Sequence, residues 1–145
     1  MLALDVNVLV SALRPDAPDH VRVRHWLEDA VNAVEPVGIS DAVLGGAVRV
    51  VTNRRVFPTP TPLETALEQA SRLRSHPGVT TLSPGPRHWE LFQRLCRSAE
   101  AKGNLVADAQ HAAVALEHGA TWISKDRDFA RFRDVRWRHP LDDQR

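Results

Sequence analysis

The hydrophobic positions of this chain form two patterns: short, nearly continuous apolar runs, and longer stretches with apolar residues at every third or fourth position. The first pattern is typical of strands in a parallel sheet and the second of amphipathic helices. The strand-like runs are "LALDV", "PVGIS", "GVTTLS", "ATWIS" and a short "VRWRHP", of which "PVGIS" also fits a turn into the next helix. The helical stretches are "HVRVRHWLEDAVNAV", "DAVLGGAVRVVTN", "LETALEQASRLRSH", "SPGPRHWELFQRLCRSAEAKG" and "NLVADAQHAAVALEHG". Their alternation predicts an α/β fold with a largely parallel sheet.

Residues with capping preferences mark the ends of several predicted helices. Ser40 is the predicted N-cap of the second helical stretch, with Asp41 in its first turn. Asn104 is the predicted N-cap of the last long helix, and Gly119 is predicted to end it. Gly103 is predicted to end the helix before it.

The length and composition of the chain predict one globular domain. Hydrophobic residues make up 43% of the chain and charged residues 26%, which excludes a disordered protein. The proline-rich "FPTPTP" is a stiff, extended linker that is too short to separate domains. We therefore expect residues 1–145 to form a single domain with a proper core.

No segment of the sequence predicts a membrane or secreted location. No apolar run approaches the roughly 18 residues of a membrane span. The first apolar run contains Asp5 and lacks a basic leader, so it does not resemble a secretory signal. The single cysteine, Cys96, excludes an internal disulfide and a cysteine zinc site, and its helical surroundings indicate a core residue. We expect a cytoplasmic protein that does not contact a membrane.

Three carboxylates stand where a parallel sheet would bring them together. Asp5 and Asp126 lie at, or just past, the carboxyl ends of predicted central strands, and binding sites form at that edge of open α/β sheets. Asp108 lies near the start of a predicted helix, beside the small residues Ala112 and Ala115, which leave room for another group. The question is whether these acids share one site.

Grouped carboxylates repel one another and raise one another's pKa, and a divalent cation is the usual remedy. Oxygen ligands suit Mg²⁺ or Mn²⁺, with water completing the coordination. Each acid also has a simpler interpretation: Asp5 as a cap at the strand end, Asp126 and Asp128 as a turn, and Asp108 as a first-turn helix anion. Spacing alone leaves both interpretations open.

Three segments of the chain resemble a known family. "LALDVNVLV", "VRVVTNRRVF" and "KGNLVADAQHAAVALEHGATWISKDRDFARF" are similar to the PIN-domain ribonucleases, specifically the VapC toxins of toxin–antitoxin pairs. The similarity runs over nearly the whole chain, and the last segment is its most specific part. The resemblance implies a small three-layer α/β/α sandwich with a mainly parallel central sheet.

The resemblance also implies an activity, partners and site residues. The activity is that of a Mg²⁺- or Mn²⁺-dependent endoribonuclease toxin, with transfer or ribosomal RNA as target. Its partners are a VapB-type antitoxin, which holds it inactive, and a second copy of the chain in a homodimer or in a toxin–antitoxin hetero-oligomer. The acids implied as catalytic are Asp5, Asp108, Asp126 and the assisting Asp128, the first three as metal ligands, and Asn7 and Ser124 match small polar site residues.

One position departs from the family pattern. The family usually has a glutamate in the helix before "RVVTN", and Gly46 occupies that position here. Gly45 and Gly46 each cost the helix roughly 1 kcal/mol relative to alanine. Asp41, five residues earlier and on a different face, is a poor substitute. The alternative function is therefore a catalytically impaired PIN-like module that binds RNA or antitoxin.

A phosphatase of the HAD type also begins with an acid at the end of its first strand. That family needs a second acid two residues further on as its general acid, and Asn7 occupies this position. An amide cannot serve as a general acid, so we set this interpretation aside.

The basic residues are mainly arginines, and only Lys102 and Lys125 are lysines among the 19. Arginine binds phosphate in a bidentate manner, although a net charge of +1 neither requires nor excludes a nucleic-acid partner. The arginines predicted to contact RNA phosphates flank the site segments; a solvated surface is the alternative interpretation. They are Arg49, Arg54, Arg55, Arg127 and Arg131.

The tryptophans and histidines add little to the predicted site. Trp89, Trp122 and Trp137 are interpreted as core or interface residues rather than as platforms for base stacking. The seven histidines show no spacing typical of metal ligands. His111 is the nearest to Asp108 in sequence and is a candidate neighbour of the site.

Overall fold

The computed structural model describes residues 1–142. Strands β1 to β5 are Leu2–Leu4, Val37–Ser40, Val79–Leu82, Thr121–Ile123 and Trp137–Arg138. Helices α1 to α6 are Val6–Leu13, His20–Asn32, Asp41–Val51, Leu63–Arg74, His88–Ser98 and Asn104–Glu117, and a 3₁₀ helix spans Arg127–Arg131. No helix within the described residues has both the length and the apolar character needed to cross a bilayer.

The five strands form one parallel sheet in the order β3-β2-β1-β4-β5. The chain steps from β1 outward to β3 through α1–α4, and then crosses back to β4 through α5 and α6. Because such crossovers are right-handed, the two groups of helices cover opposite faces of the sheet. The predicted three-layer α/β/α sandwich is confirmed.

The central strands are buried and set in register with one another. Leu2 pairs with Val37 on one side and with Thr121 on the other, and the backbone N–H of Asp5 donates to the carbonyl of Ile123 at 3.0 Å. The carboxyl ends of β1 and β4 therefore lie side by side. All five strand predictions are confirmed, and "PVGIS" is a strand rather than a turn.

Helix α1 was not predicted from the sequence, where only the strand-like run "LALDV" was assigned in this part of the chain. In the structure the chain turns at Asp5, whose side chain accepts a hydrogen bond from the N–H of Val6 and caps a helix over Val6–Leu13. Asp5 therefore directly follows the end of β1 and is also the N-cap of α1.

The capping predictions had mixed outcomes. Ser40 caps α3 as predicted, since its hydroxyl accepts from the N–H of Val43 at 3.1 Å. Asn104 was wrongly predicted as a cap: Gly103, at φ 56°, holds the N-cap position, and Asn104 is the first helical residue. Helix α5 ends at Ser98 rather than reaching Gly103, because Glu100 adopts a left-handed conformation with φ 49°. Gly119, at φ 64°, follows the end of α6 as predicted.

The aromatic and cysteine predictions are partly confirmed. Trp122 is buried and Trp137 is half-buried against the core. Trp89 is 65% exposed, so it is not a core residue. Its position on the outer face of α5 keeps it in contact with Phe92 but leaves most of the indole in solvent. Cys96 is partly buried against the core, and burial raises the pKa of its thiol.

Candidate active site

An open cleft of about 740 Å³ lies at the carboxyl edge of the sheet. Asp5 contributes to its floor from the end of β1, Asp126 from the segment after β4, and Asp108 from α6. The three acids are distant in sequence and share this one cavity. The sequence-based expectation that they meet at one edge of the sheet therefore agrees with the geometry.

Asp5 is fixed by hydrogen bonds to both of its carboxylate oxygens. Its side chain is only 7% exposed. Oδ1 accepts from the N–H of Val6 at 2.7 Å, and Oδ2 accepts from the Ser124 hydroxyl at 2.6 Å and from the Asn7 amide at 3.1 Å. Burial raises the pKa of Asp5, and the bonds from Ser124 and Val6 offset part of that rise.

Ser124 and Asn7 connect the ends of β1 and β4. The hydroxyl of Ser124 is fully buried and accepts hydrogen bonds from the Asn7 amide and from the backbone N–H of Asp126, each at 3.0 Å. The Asn7 carbonyl oxygen accepts from the backbone N–H of Lys125 at 3.0 Å. Both residues therefore hold the segment that carries Asp126 against the segment that carries Asp5.

Asp126 begins the 3₁₀ helix, and its Oδ1 accepts from the backbone N–H of Asp128 at 2.9 Å. The turn interpretation of these two acids is thus correct, as is the capping interpretation of Asp5, and neither excludes a second role. Asp126 lines the cleft, whereas the exposed Asp128 does not. Asp128 still acts on the site through its charge.

Asp108 is the acid whose ionisation is most disturbed by this arrangement. Its pKa is raised to about 6, first by burial and then by the negative charges of Asp5, Asp126 and Asp128. Asp108 lies beyond the first turn of α6, so the interpretation as a first-turn anion is wrong. The charges of all three other acids therefore act on Asp108.

The basic side chains near the acids do not neutralise them. Lys125 points its Nζ away, toward the Ser11 hydroxyl at 2.9 Å and the Pro18 carbonyl at 3.3 Å. Within the described residues, Arg49 is the only arginine or lysine that lines the cleft.

The carboxylates of the cleft are chemically suited to binding a cation together with water. Within residues 1–142, no three side chains of His, Cys, Asp or Glu converge closely enough to ligate one ion together. Both oxygens of Asp5 already accept hydrogen bonds. The cleft thus fits a hard divalent ion that takes only some of its ligands from carboxylates and keeps several waters, as Mg²⁺ commonly does.

His111 lines the cleft one turn after Asp108. Its ring stacks on the buried Trp122, with centroids 6.3 Å apart and planes 10° apart. Burial lowers the pKa of His111, against the opposing attraction of Asp5, so the imidazole is mainly neutral at neutral pH. His111 was named a candidate neighbour of the site only because it is close to Asp108 in sequence. The structure does place it beside Asp108 in the cleft.

The predicted RNA-binding arginines are distributed over several surfaces. Arg54 and Arg55 are exposed on the turn after α3, close in sequence to the cleft-lining Val56 and Phe57. Arg127 pairs with Asp142 at 3.3 Å. Arg131 donates to the carbonyl of Ala99 and lines a different cavity with Arg97 and Arg133.

Gly46 packs against Val6 of α1, the residue that follows Asp5. A Cβ atom placed on Gly46 would lie 2.8 Å from Cγ2 of Val6, which is closer than real side chains tolerate. Position 46 therefore faces the neighbourhood of the cleft, and the contact with Val6 fills the space that a side chain would need.

Sequence reasoning missed the apolar wall of the cleft. Val10, Val50, Val56 and Phe57 line the cleft together with the acids. Val10 belongs to the helix that was not predicted, and Val56 and Phe57 belong to a loop with no regular pattern. Only the fold brings them beside the acids.

Comparison with protein families and with known proteins gives a consistent result. The PIN domain family matches residues 2–135. The VapC ribonuclease Mb2897 of Mycobacterium bovis is 52% identical over 144 residues, covering 99% of this chain and 98% of that protein. Ribonuclease VapC25 of Mycobacterium tuberculosis is 41% identical over 140 residues, covering 97% and 99% of the two chains.

Solved structures show the same fold at low sequence identity. VapBC2 from Rickettsia felis, bound to a promoter DNA fragment, matches with a TM-score of 0.72 and 17% identity over 95% of this chain and 97% of that one. Mycobacterium tuberculosis VapC20, a toxin that cleaves the sarcin-ricin loop, matches with a TM-score of 0.65 and 18% identity over 90% and 93%. With the family match and the close relatives, these findings establish that the chain belongs to the PIN-domain family and, within it, to the VapC ribonucleases.

Proposed function

We propose that this protein is a metal-dependent endoribonuclease toxin that hydrolyses phosphodiester bonds of transfer or ribosomal RNA and is neutralised by a VapB-type antitoxin. The observation that carries the proposal is the shared cleft of Asp5, Asp108 and Asp126. Relatives that are 52% and 41% identical over nearly the whole chain are named ribonucleases, which supports the same activity here. Residues 1–145 act as one PIN-like domain.

The acids have complementary roles in this proposal. A bound Mg²⁺ or Mn²⁺ supplies an activated water and neutralises charge on the scissile phosphate. Asp5 and Asp126 would hold the ion directly or through water, and Asp108 would be a third ligand through water or would orient the attacking water. With a pKa of about 6, Asp108 accepts a proton near neutral pH more readily than an ordinary aspartate does. Asp128 adds a negative charge near Asp108 from outside the cleft.

Asn7 and Ser124 act by positioning. They fix both the rotamer of Asp5 and the turn that carries Asp126, through hydrogen bonds of 2.6 to 3.1 Å. Such supporting contacts orient ligands and tune their basicity.

RNA phosphates are bound by arginines around the cleft. Arg49 is in the cleft wall, and Arg54 and Arg55 extend the basic surface from the end of α3. Arg127 and Arg131, which lie outside the cleft, would contact RNA that extends beyond it. Arginine suits this role because its planar group pairs with phosphate in a bidentate manner.

The antitoxin binds across the apolar wall and the acids together. An apolar helix of the antitoxin covers Val10, Val50, Val56 and Phe57, and a basic residue of the antitoxin enters the acidic cluster. The solved neighbours include VapBC complexes, such as VapBC-1 from nontypeable Haemophilus influenzae. The toxin works in the cytoplasm as a homodimer or as a toxin–antitoxin hetero-oligomer.

A second candidate function follows from Gly46. A PIN-like module that binds RNA or antitoxin without cutting would retain the fold and lose the ion. The contact between Gly46 and Val6, and the absence of a ready three-residue ligand set within residues 1–142, favour this alternative.

Mapping of new 5′ ends in total RNA separates the two functions. Cells expressing the wild-type chain without antitoxin should gain discrete 5′ ends in transfer or ribosomal RNA, and cells expressing Asp5→Ala should gain none. New ends that are identical in both strains, or absent from both, would remove the catalytic proposal.

A further inference from the structure

A second cavity, of about 430 Å³, adjoins the acidic cleft along the same edge of the sheet. It lies over the carboxyl ends of β2 and β3, with Ser40, Leu82 and Ser83 on the sheet side and Gln110 and Val114 on α6. The sheet order β3-β2-β1-β4 places these strand ends directly next to those that carry Asp5 and Asp126.

His111 joins the two cavities. Its side chain lines both the acidic cleft and the second cavity. One face of the ring rests on Trp122, which holds the imidazole in place as a shared wall. A polymer bound with one phosphate at the acids can therefore place an adjacent unit in the second cavity.

The chemistry of the second cavity suits a flat, uncharged group with polar edges. Its walls are largely apolar, from Leu82, Pro84 and Val114. The lining carboxylate of Asp41 is already held by Arg74 at 2.7 Å. Because no arginine or lysine within residues 1–142 lines the cavity, it is poorly suited to a phosphate and well suited to a nucleobase.

Three polar groups in this cavity remain available for a ligand. The Ser83 hydroxyl, the Gln110 amide and the His111 imidazole have no hydrogen-bond partner within residues 1–142. Hydrogen bonds from such groups to base edges, together with contact to the faces of the base, are how single-stranded RNA is read.

The loop that bears Ser83 is held rigidly in position. The His118 ring bonds to the carbonyl of Ser83 at 2.9 Å. Glu117 accepts from the backbone N–H groups of Gly85 at 2.6 Å and Arg87 at 2.9 Å. A Cβ atom at Gly85 would approach Glu117 to 2.6 Å, so the glycine permits this contact. A preformed pocket loses less free energy when it orders a ligand.

We propose that this second cavity is a base-recognition subsite, which receives the nucleobase next to the scissile phosphate of a single-stranded RNA segment. The proposal rests on the ribonuclease function and extends it to sequence preference. Gln110 and Ser83 contact the edge of the base, and His111 positions it relative to the acids.

Binding of fluorescein-labelled RNA pentamers, measured by anisotropy in EDTA, tests the subsite separately from cleavage. Ser83→Trp fills the cavity from an exposed position, and Thr80→Trp places the same side chain at an exposed position of the preceding strand β3, outside both cavities. Ser83→Trp should weaken binding about tenfold, which is the loss of affinity expected when one well-stacked base is displaced. Thr80→Trp should bind like the wild type.

An abasic residue moved along the pentamer identifies the recognised base. At one position the abasic site should weaken wild-type binding as much as Ser83→Trp does, and the two changes together should cost no more than either alone.

Gln110→Ala, a surface change that keeps the helix, should alter the order of affinity among the four homopentamers.

The subsite and the ribonuclease function fail in different ways. Equal binding by the wild type, Ser83→Trp and Gln110→Ala, or no binding by the wild type, would overturn the subsite even if the protein cuts RNA. Additive losses from Ser83→Trp and from every abasic position would also overturn it. Coupled losses in a chain that cuts no RNA would leave the subsite standing and remove the ribonuclease function.

Discussion

The Ser124 hydroxyl is the point where the hydrogen bonds of the site meet. It donates to Asp5 Oδ2 and accepts from the Asn7 amide and from the N–H of Asp126. The hydroxyl is fully buried, so its loss would leave its three partners without a hydrogen bond. Water cannot easily reach this position to take the place of the hydroxyl.

Replacing this hydroxyl should reduce the activity without removing an acid. We expect Ser124→Ala to lower kcat for RNA cleavage about 10- to 100-fold, as loss of a group that supports a metal ligand typically does. Steady-state kinetics on a cleavable RNA give this value, with Ser98→Ala on α5 as the control. Equal rates for Ser124→Ala and the wild type would show that Asp5 needs no support.

The raised pKa of Asp108 makes a prediction about stability in the absence of metal. The folded-state pKa of about 6 exceeds the ordinary value of 3.8, so the folded protein holds this proton more tightly than the unfolded chain. Well below pH 3.8 both states are protonated and the group has no effect on stability. As the pH rises from about 4 to 6 it increasingly destabilises the fold, and the full penalty applies above pH 6.

Asp108→Asn should therefore stabilise the metal-free protein at pH 7.5. We expect a gain of about 1 kcal/mol in the free energy of unfolding, a value already reduced for the solvent around this half-exposed carboxyl, and a much smaller gain at pH 3.5. Urea denaturation at the two pH values measures it, with Asp29→Asn on α2 as the control. A gain that is the same at both pH values would contradict the electrostatic origin.

At the scale of elements, the contact between α1 and α3 depends on Gly46. Glu at this position must displace Val6, and overpacking of this kind costs about 1–3 kcal/mol. We expect Gly46→Glu to lower the free energy of unfolding by that amount, and Val6→Ala in the same chain to recover most of the loss.

Gly45 offers a matched control for this change, because a Cβ atom there would meet nothing within 4 Å. Gly45→Glu should be neutral or slightly stabilising, since glycine is a poor helix former. If Gly46→Glu were tolerated as well as Gly45→Glu, the packing argument would be wrong. The rate of RNA cleavage by the Gly46→Glu, Val6→Ala chain then measures whether the missing family acid matters.

Local sequence patterns predicted most elements but failed where two patterns overlap. In α1, valines at positions 6, 8 and 10 alternate as in a strand, and the β-branched side chains reinforce that pattern. Packing of Val8 and Leu9 into the core determines the helix instead. Asn104 has the right chemistry for a cap, but the positive φ of Gly103 begins the helix one residue earlier.

At the scale of the whole molecule, Arg14 connects α1 to the long segment between α3 and α4. Its guanidinium bonds to Asp16 and Thr61 and lies 4.2 Å from the ring centroid of Phe57, which lines the cleft. Arg14 itself is 8% exposed. It therefore holds the apolar wall of the cleft in place.

Removal of this guanidinium should destabilise the entire domain. We expect Arg14→Ala to lower the free energy of unfolding by about 2 kcal/mol, because a buried charged group loses several hydrogen bonds and a cation–π contact. Arg24→Ala, which breaks an exposed pair with Glu28, should cost about 0.5 kcal/mol or less. Urea denaturation of both variants tests this, and equal losses would contradict the account.

The convergence of the acids could be predicted in outline, because both strand ends were recognisable and the carboxyl edge of a parallel sheet collects such groups. The family resemblance named the same residues. The sequence could not predict the apolar wall or the second cavity, since these depend on the sheet order and on the loops 52–62 and 83–87. Long-range packing, which local patterns do not encode, determines both.

Direct binding of Mn²⁺ tests most directly whether the acidic cleft is a divalent-ion site. The electron paramagnetic resonance signal of free Mn²⁺ should fall in proportion to added wild-type protein at pH 7.5. It should stay at its protein-free intensity with Asp5→Asn, which keeps the shape of the side chain and removes its charge. Equal depletion by the two proteins, or none by the wild type, would contradict the assignment of Asp5, Asp108 and Asp126 to one metal centre.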